Sequence, residues 1–280
     1  MVQAKFSRLV RFIADDDTEY YGDAGESTDG SFSTARVIEG NIFDKFEVTS
    51  NVKKIKKLVA PLNRSTTHIV RGFGVAYKGV PEKMGFKFPE YPVLFYKPVT
   101  AIIGPFDDVP IDLSSQDDGL DCEVELVVVI GKEALNVPEE DALKYVLGYT
   151  VGNDMTHHGW MRKGNRMGAL GKNCDGWCPI GPCIIPTDAV EDVQKMRLWT
   201  KINGELIQDG STKDMIFSIA RLVSFSSQGT TLLPGDIILT GTPLGARAVL
   251  NPPIWLHDGD VMELGIEKIG TIKNKITFKK

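Results

Sequence analysis

Glu123 and Glu125 stand one residue apart in an apolar stretch, Asp121-Cys-Glu-Val-Glu-Leu-Val-Val-Val-Ile-Gly131. An extended strand alternates its side chains, so positions i and i+2 face the same way. Two carboxylates on one face repel, and keeping both ionised away from water is costly. A hard divalent cation with oxygen ligands offsets that cost most simply. A third acid, Asp154, ends the next apolar stretch, Tyr145-Val-Leu-Gly-Tyr-Thr-Val-Gly-Asn-Asp. The plain alternative is an exposed strand face with two solvated glutamates, Val124, Leu126 and Val128 turning to the core.

Two further segments carry chemistry. In Leu170-Gly-Lys-Asn-Cys-Asp-Gly-Trp-Cys-Pro-Ile-Gly-Pro182, a loop shaped by Gly and Pro presents Lys172 and Asp175 beside Trp177. A lysine there can stabilise a developing enolate or carboxylate, or shuttle a proton if its pKa is lowered. A surface lysine paired to an acid is the plainer reading. In Pro234-Gly-Asp-Ile-Ile-Leu-Thr-Gly-Thr-Pro-Leu-Gly245, an apolar strand runs into Thr240-Gly-Thr-Pro. Backbone N–H groups and hydroxyls of that turn can hold a carboxylate, or it is a simple tight turn.

The elements that position these residues read as mainly extended. The N-terminal stretch, about 1–62, looks like short strands and turns. Val52, Ile55, Leu58 and Val59 recur at helical spacing among Lys53, Lys54, Lys56 and Lys57, which predicts a solvated helix ended by Pro61. From His68 onward short β-rich runs are broken by Gly and Pro. One helix is expected over 137–148, with Pro138 near its first turn, three acids at its positive end and Gly148 closing it. The stretch 70–92, with its glycines and prolines, is a surface loop or a lid.

Composition bounds the class. The chain has 280 residues, 42% hydrophobic and 25% charged, with net charge -5. That length suits a catalytic domain over 63–280 behind a small N-terminal domain over 1–62, and the acidic balance argues against nucleic acid as a partner. No apolar run approaches the ~20 residues of a membrane span. Cys174, Cys178 and Cys183 have three and four intervening residues, without the two-residue spacing of a zinc knuckle or a following histidine. Reduced, mostly buried thiols and a cytoplasmic location are the expectation. No dinucleotide or P-loop fingerprint is present.

Taken together, Asp-Cys-Glu-Val-Glu-Leu-Val-Val-Val-Ile-Gly, Gly-Asn-Asp154-Met-Thr, Gly-Lys172-Asn-Cys-Asp-Gly-Trp and Thr-Gly-Thr-Pro resemble, in order and spacing, the fumarylacetoacetate hydrolase superfamily. So do Tyr91-Pro-Val-Leu-Phe-Tyr-Lys-Pro98, the segment 201–217 and the closing segment 258–270. The similarity covers roughly 68–280, and the N-terminal piece is most like that of fungal members. The resemblance implies a mixed, β-rich (α+β) fold: a β-roll of packed sheets with few short helices and a small β-rich N-terminal appendage, usually in a homodimer. It implies Mg2+ or Mn2+, sometimes Ca2+, held by Glu123, Glu125 and Asp154. It implies small 2-oxo or β-dicarbonyl substrates, with Lys172 as the catalytic lysine and Thr242, beside Gly241, as a substrate contact.

Departures from the family pattern are equally specific. Where members read Asn-Tyr-x-x-His-x-x-Glu in the lid, this chain reads Ala76-Tyr-Lys-Gly-Val80-Pro-Glu-Lys83, so Val80 replaces the histidine and Lys83 the glutamate. Glu82 substitutes only if the loop shifts register. Where members often have Arg-Asp-x-Gln after the metal-binding Asp, His158 stands for Arg and Met161 for Gln, with Trp160 between them. Valine cannot deprotonate water and methionine cannot clamp a carboxylate. Three expectations follow. The first is a metal-dependent enzyme that decarboxylates, isomerises or cyclises a 2-oxo or β-dicarbonyl compound, such as a secondary-metabolism intermediate. The second is an ordinary hydrolase or oxaloacetate decarboxylase whose base is His157, His158 or Glu82. The third is a catalytically idle member with a binding role.

Overall fold

A computed structural model describes residues 6–25, 27, 30–85, 87–163, 168–246 and 252–280. Four N-terminal strands come first: β1 (Leu9–Ala14), β2 (Glu19–Asp23), β3 (Thr34–Gly40) and β4 (Phe46–Val59). The middle of the chain supplies β5 (Val70–Gly74), β6 (Val93–Lys97), β7 (Ile102–Ile103), β8 (Val109–Ile111), β9 (Leu120–Asp121), β10 (Val124–Ile130), β11 (Val146–Asn153) and β12 (Thr156–His157). The last strands are β13 (Cys178–Pro186), β14 (Arg197–Ile202), β15 (Glu205–Ser211), β16 (Ile237–Leu239), β17 (Val261–Ile266) and β18 (Gly270–Phe278). Short helices α1 (Gly79–Met84), α2 (His158–Lys163) and α3 (Ile219–Ser226) interrupt them. The β-rich α+β architecture expected from the residues is the one observed.

One sheet runs β2-β3-β4-β1-β13-β11-β10-β16-β5-β6, with β7 joined to β13; a second runs β15-β14-β17-β18-β8, and β9 pairs with β12. The N-terminal strands join the large sheet through β1 and β13, where Leu9 lies opposite Ile184.

Every residue of β10 is buried, because the roll covers the sheet on both sides. Val124, Leu126, Val128 and Ile130 enter the larger core with Leu264, Ile272 and Leu222, while Val127 and Val129 pack with Leu9, Ile180 and Leu239. Glu125 therefore continues a buried row, and the reading of an exposed glutamate face does not hold.

Two expected helices are strands or turns instead. Residues 52–59 lie in β4, paired with β3 and β1. Register shifts opposite Ile13/Ala14 and Arg36/Ile38 break the two-residue alternation, so apolar positions fall at spacings that imitate a helix. The four lysines reach acids across the surface: Lys53–Asp16 at 2.8 Å, Lys54–Asp15 at 3.5 Å, Lys56–Asp17 at 2.5 Å and Lys57–Asp107 at 2.7 Å. The segment 137–148 is a 3-10 turn over Glu139–Tyr145 followed by β11. Gly148 is not a helix end. A Cβ there would lie 2.0 Å from the Ile185 carbonyl oxygen, so glycine lets β13 approach β11.

All four cysteines are free, and Cys122, Cys178 and Cys183 are buried. Among the described residues, no helix is long and apolar enough to cross a membrane.

The centre of β10 predicts the first measurement. Leu126 is fully buried, so Leu126→Ala lowers unfolding free energy by about 2–5 kcal/mol in chemical denaturation.

Candidate metal centre

Strand pairing brings the three acids together. In the β10–β11 ladder Val124 lies opposite Asn153 and Glu125 opposite Gly152. Just past that register, the Asp154 N–H donates to the Glu123 carbonyl at 3.0 Å. One oxygen from each of Glu123, Glu125 and Asp154 then lies within 4.8 Å of the others.

On the other edge of β10, β16 places Leu239 opposite Val127, and the chain turns at Thr240-Gly-Thr-Pro. Gly241 has φ +93°, and a Cβ there would lie 2.5 Å from that of Ala76. Only glycine fits this left-handed, crowded position. Its N–H donates to Glu125 Oε2 at 2.5 Å, so Gly241 holds a carboxylate of the protein itself. The Thr242 hydroxyl accepts from Gln208 Nε2 at 2.8 Å, which leaves its own proton free to donate.

Two buried lysines face the acids. Lys172 Nζ donates to Asp154, to the Thr156 hydroxyl at 2.7 Å and to Glu123 at 3.3 Å. Lys97, which residue spacing does not single out, donates to Asp154 Oδ1 at 2.7 Å and to the Met155 carbonyl at 2.9 Å. A lysine inside the apolar run of β6 was the available signal for it.

Burial pushes the Asp154 carboxyl upward, but Lys172 and Lys97 outweigh that and hold it below its ordinary range. Burial raises Glu123, opposed by Lys172 and reinforced by Asp154. Glu125 is raised furthest, by burial and then by the charges of Asp154 and Glu123. Burial would lower Lys172, yet Asp154 and Glu123 raise it above an ordinary lysine. The three acids thus push the Lys172 pKa upward, the opposite of the lowering that proton shuttling requires.

A cavity of about 290 Å³ opens on this cluster, lined by Val80, Glu123, Glu125, His158, Met161, Lys172 and Thr242, among others. Asp154 lies behind the glutamates, fully buried. Trp160 is placed elsewhere: its indole N–H faces the Ser114 carbonyl and the Ser115 hydroxyl, both at 3.2 Å, over the turn Leu113–Ser115. The helical spacing of α2 turns it away from His158 and Met161. On α1, Val80 meets the cavity while Glu82 is exposed, so the register shift that would let Glu82 replace the lid acid has not occurred.

Residues 69–277 match the model of the fumarylacetoacetate hydrolase C-terminal domain. The chain belongs to the fumarylacetoacetate hydrolase family. Among relatives of this family, a human protein named oxaloacetate tautomerase FAHD2A, mitochondrial, is 38% identical over 204 residues, which is 72% of this chain and 64% of that protein. This chain thus spans a little under two thirds of that relative's length. A crystal structure of 2-hydroxyhepta-2,4-diene-1,7-dioate isomerase from Mycobacterium marinum is 31% identical with a TM-score of 0.82, covering 98% of this chain and 99% of that one. A structure of 5-carboxymethyl-2-hydroxymuconate delta-isomerase from Mycobacterium smegmatis is 33% identical with a TM-score of 0.81, covering 97% and 100%.

The residues fit a divalent cation. Three carboxylates converge against two lysines, and Glu125 makes no ion pair among the described residues. Its raised pKa marks excess negative charge, which a hard cation with oxygen ligands would neutralise.

Metal uptake therefore depends on pH with a definite sign. Glu125 must give up a proton to bind a cation, so Mn2+ affinity measured by calorimetry rises from about pH 5 to about pH 8 with proton release. Glu125→Gln lowers that affinity by on the order of 100-fold or more, since losing even a partner of a ligand costs about 10–100-fold. Lys97→Met destabilises the metal-free protein by about 3–5 kcal/mol in denaturant titrations, because it removes half of a fully buried ion pair.

Proposed function

We propose that this chain is a metal-dependent enzyme that interconverts the keto and enol forms of a 2-oxo acid or β-dicarbonyl compound. One observation carries the reading: three acids and a buried lysine meet at a cavity to which α1 contributes Val80, at the position where the family pattern has a histidine. Relatives named as an oxaloacetate tautomerase and as two isomerases support that reaction class.

Glu123, Glu125 and Asp154 would hold Mg2+ or Mn2+, which supplies Lewis-acid polarisation of a bound carbonyl. Lys172 Nζ keeps its proton and offers a fixed positive charge beside Glu123, where negative charge on a substrate oxygen is stabilised. The Thr242 hydroxyl, its oxygen already accepting from Gln208, donates toward a substrate carbonyl or carboxylate. Phe73, Val75, Val80 and Met161 give the rest of the cavity an apolar wall that excludes water. On α1, neither Val80 in the cavity nor Glu82 on the exposed face supplies the base that the family's lid pattern places there for activating water.

With Mg2+ or Mn2+, the protein accelerates enol-to-keto conversion of oxaloacetate or an acylpyruvate, followed by ultraviolet absorbance, and a chelator removes the acceleration. Lys172→Met lowers kcat by about 10²–10³-fold, the scale of losing one stabilising donor. Equal rates with and without metal would refute the reading.

A further inference from the structure

Isomerisation requires a group that removes a proton from carbon and returns it to oxygen, and the acids and lysines of the metal centre are already engaged. We propose that His158 is that proton carrier, with Asp121 as its positioning partner; the assignment rests on the isomerase reading above. His158 lines the same cavity as Glu123, Glu125 and Lys172. Its Nε2 is buried, without a hydrogen-bond partner, and lies 3.6 Å from Asp121 Oδ2, a fully buried carboxylate. That approach is longer than a formed hydrogen bond, and such contacts often tighten only when substrate binds.

Neighbouring contacts fix the ring. It stacks on Trp255 with centroids 5.9 Å apart and planes at 29°, and the Arg162 guanidinium lies 5.6 Å from the same indole. The His158 N–H donates to the Gly119 carbonyl at 2.8 Å, and the β9–β12 ladder sets Asp121 opposite Thr156.

The other acid–base candidates are occupied or misplaced. His157 Nδ1 accepts from the Trp160 N–H at 3.1 Å, its Nε2 lies 2.9 Å from Asp117, and it does not line the cavity that holds Glu123 and Glu125. Lys172 is bound by Asp154, Glu123 and Thr156. Glu82 is exposed on α1.

The step balances without added water or an oxidant. The neutral imidazole takes a proton from the carbon beside the keto group. That C–H electron pair becomes the C=C bond, and the carbonyl π pair moves onto oxygen. The imidazolium, stabilised by Asp121, then delivers its proton to that oxygen and yields the enol. The reverse order gives the keto form.

The test uses the full chain and two readouts. In the first, His158→Asn and His158→Gln slow enol-to-keto conversion of oxaloacetate by about 10²–10⁴-fold, while Mn2+ affinity by calorimetry and thermal midpoint stay near those of the parent. Asp121→Asn lowers kcat at unchanged KM. In the second, diethyl pyrocarbonate mapped by mass spectrometry acylates His158 but not His157, and Mn2+ with oxalate protects it. The proposal fails if either His158 variant keeps parental rates, if it loses Mn2+ binding together with activity, or if His158 is unprotected by oxalate. An effect of Asp121→Asn on KM alone removes Asp121 from the assignment. A parent protein inactive on oxaloacetate and acetylpyruvate, with His158 still protected, refutes the isomerase reading itself; an active His158→Asn variant refutes only the role of His158.

Discussion

Three carboxylates held side by side out of water, faced among the described residues by two ammonium groups, are the constraint around which the rest of the site is arranged. Asp154 is fully buried and takes a lysine on each oxygen, Lys97 at 2.7 Å on one and Lys172 on the other. Burial without those partners would force it to neutralise. With them it remains an anion and keeps Lys172 charged. Glu125, raised in pKa by burial and then by the charges of Asp154 and Glu123, accepts a backbone N–H from Gly241 and makes no ion pair among the described residues. A divalent cation held by these oxygens would answer that imbalance.

The roll supplies the rigidity this demands. β10 is buried on both faces and flanked by β11 and β16, so each acid sits at the end of a strand that cannot shift register without turning a buried row of valines over. Glycines appear where neighbours press close: Gly152, opposite Glu125, under the side chain of Val127, Gly148 against the backbone of β13, and Gly241 in the left-handed turn whose N–H reaches Glu125. The N-terminal strands lengthen the same sheet through Leu9 and Ile184, so they buttress the second core that lies behind the glutamates.

Function diverges above this fixed floor. The lid helix α1 presents Val80, and α2 presents His158 and Met161, at positions where the resembled family pattern has a histidine, an arginine and a glutamine. The result is a cavity with a charged floor and a mostly apolar wall. A larger groove of about 950 Å³ between Arg8 and Trp199 lacks any clustered acids among the described residues, so volume alone would have pointed to the wrong place.

What the sequence determined by itself was the set of groups and the family: local spacing identifies Glu123 and Glu125 as same-facing, and resemblance to the family's motifs picks out Asp154, Lys172 and Thr242 and marks Val80 and Met161 as departures. These depend on residue type and on the two-residue period of a strand, both of which are written locally. Tertiary structure alone decided what each group does. Lys97 lies fifty-seven residues from Asp154 in the chain, and only sheet pairing makes them partners. Bulges in β4 erased the alternation that would have identified it as a strand, and β11 became a strand because two neighbours offered it hydrogen bonds that no local propensity records. Three adjacent residues, His157, His158 and Trp160, look interchangeable in one dimension. Packing of α2 against β9 sends one toward Asp117, one into the cavity and one to the surface turn, because the direction of a side chain is set by what surrounds its backbone.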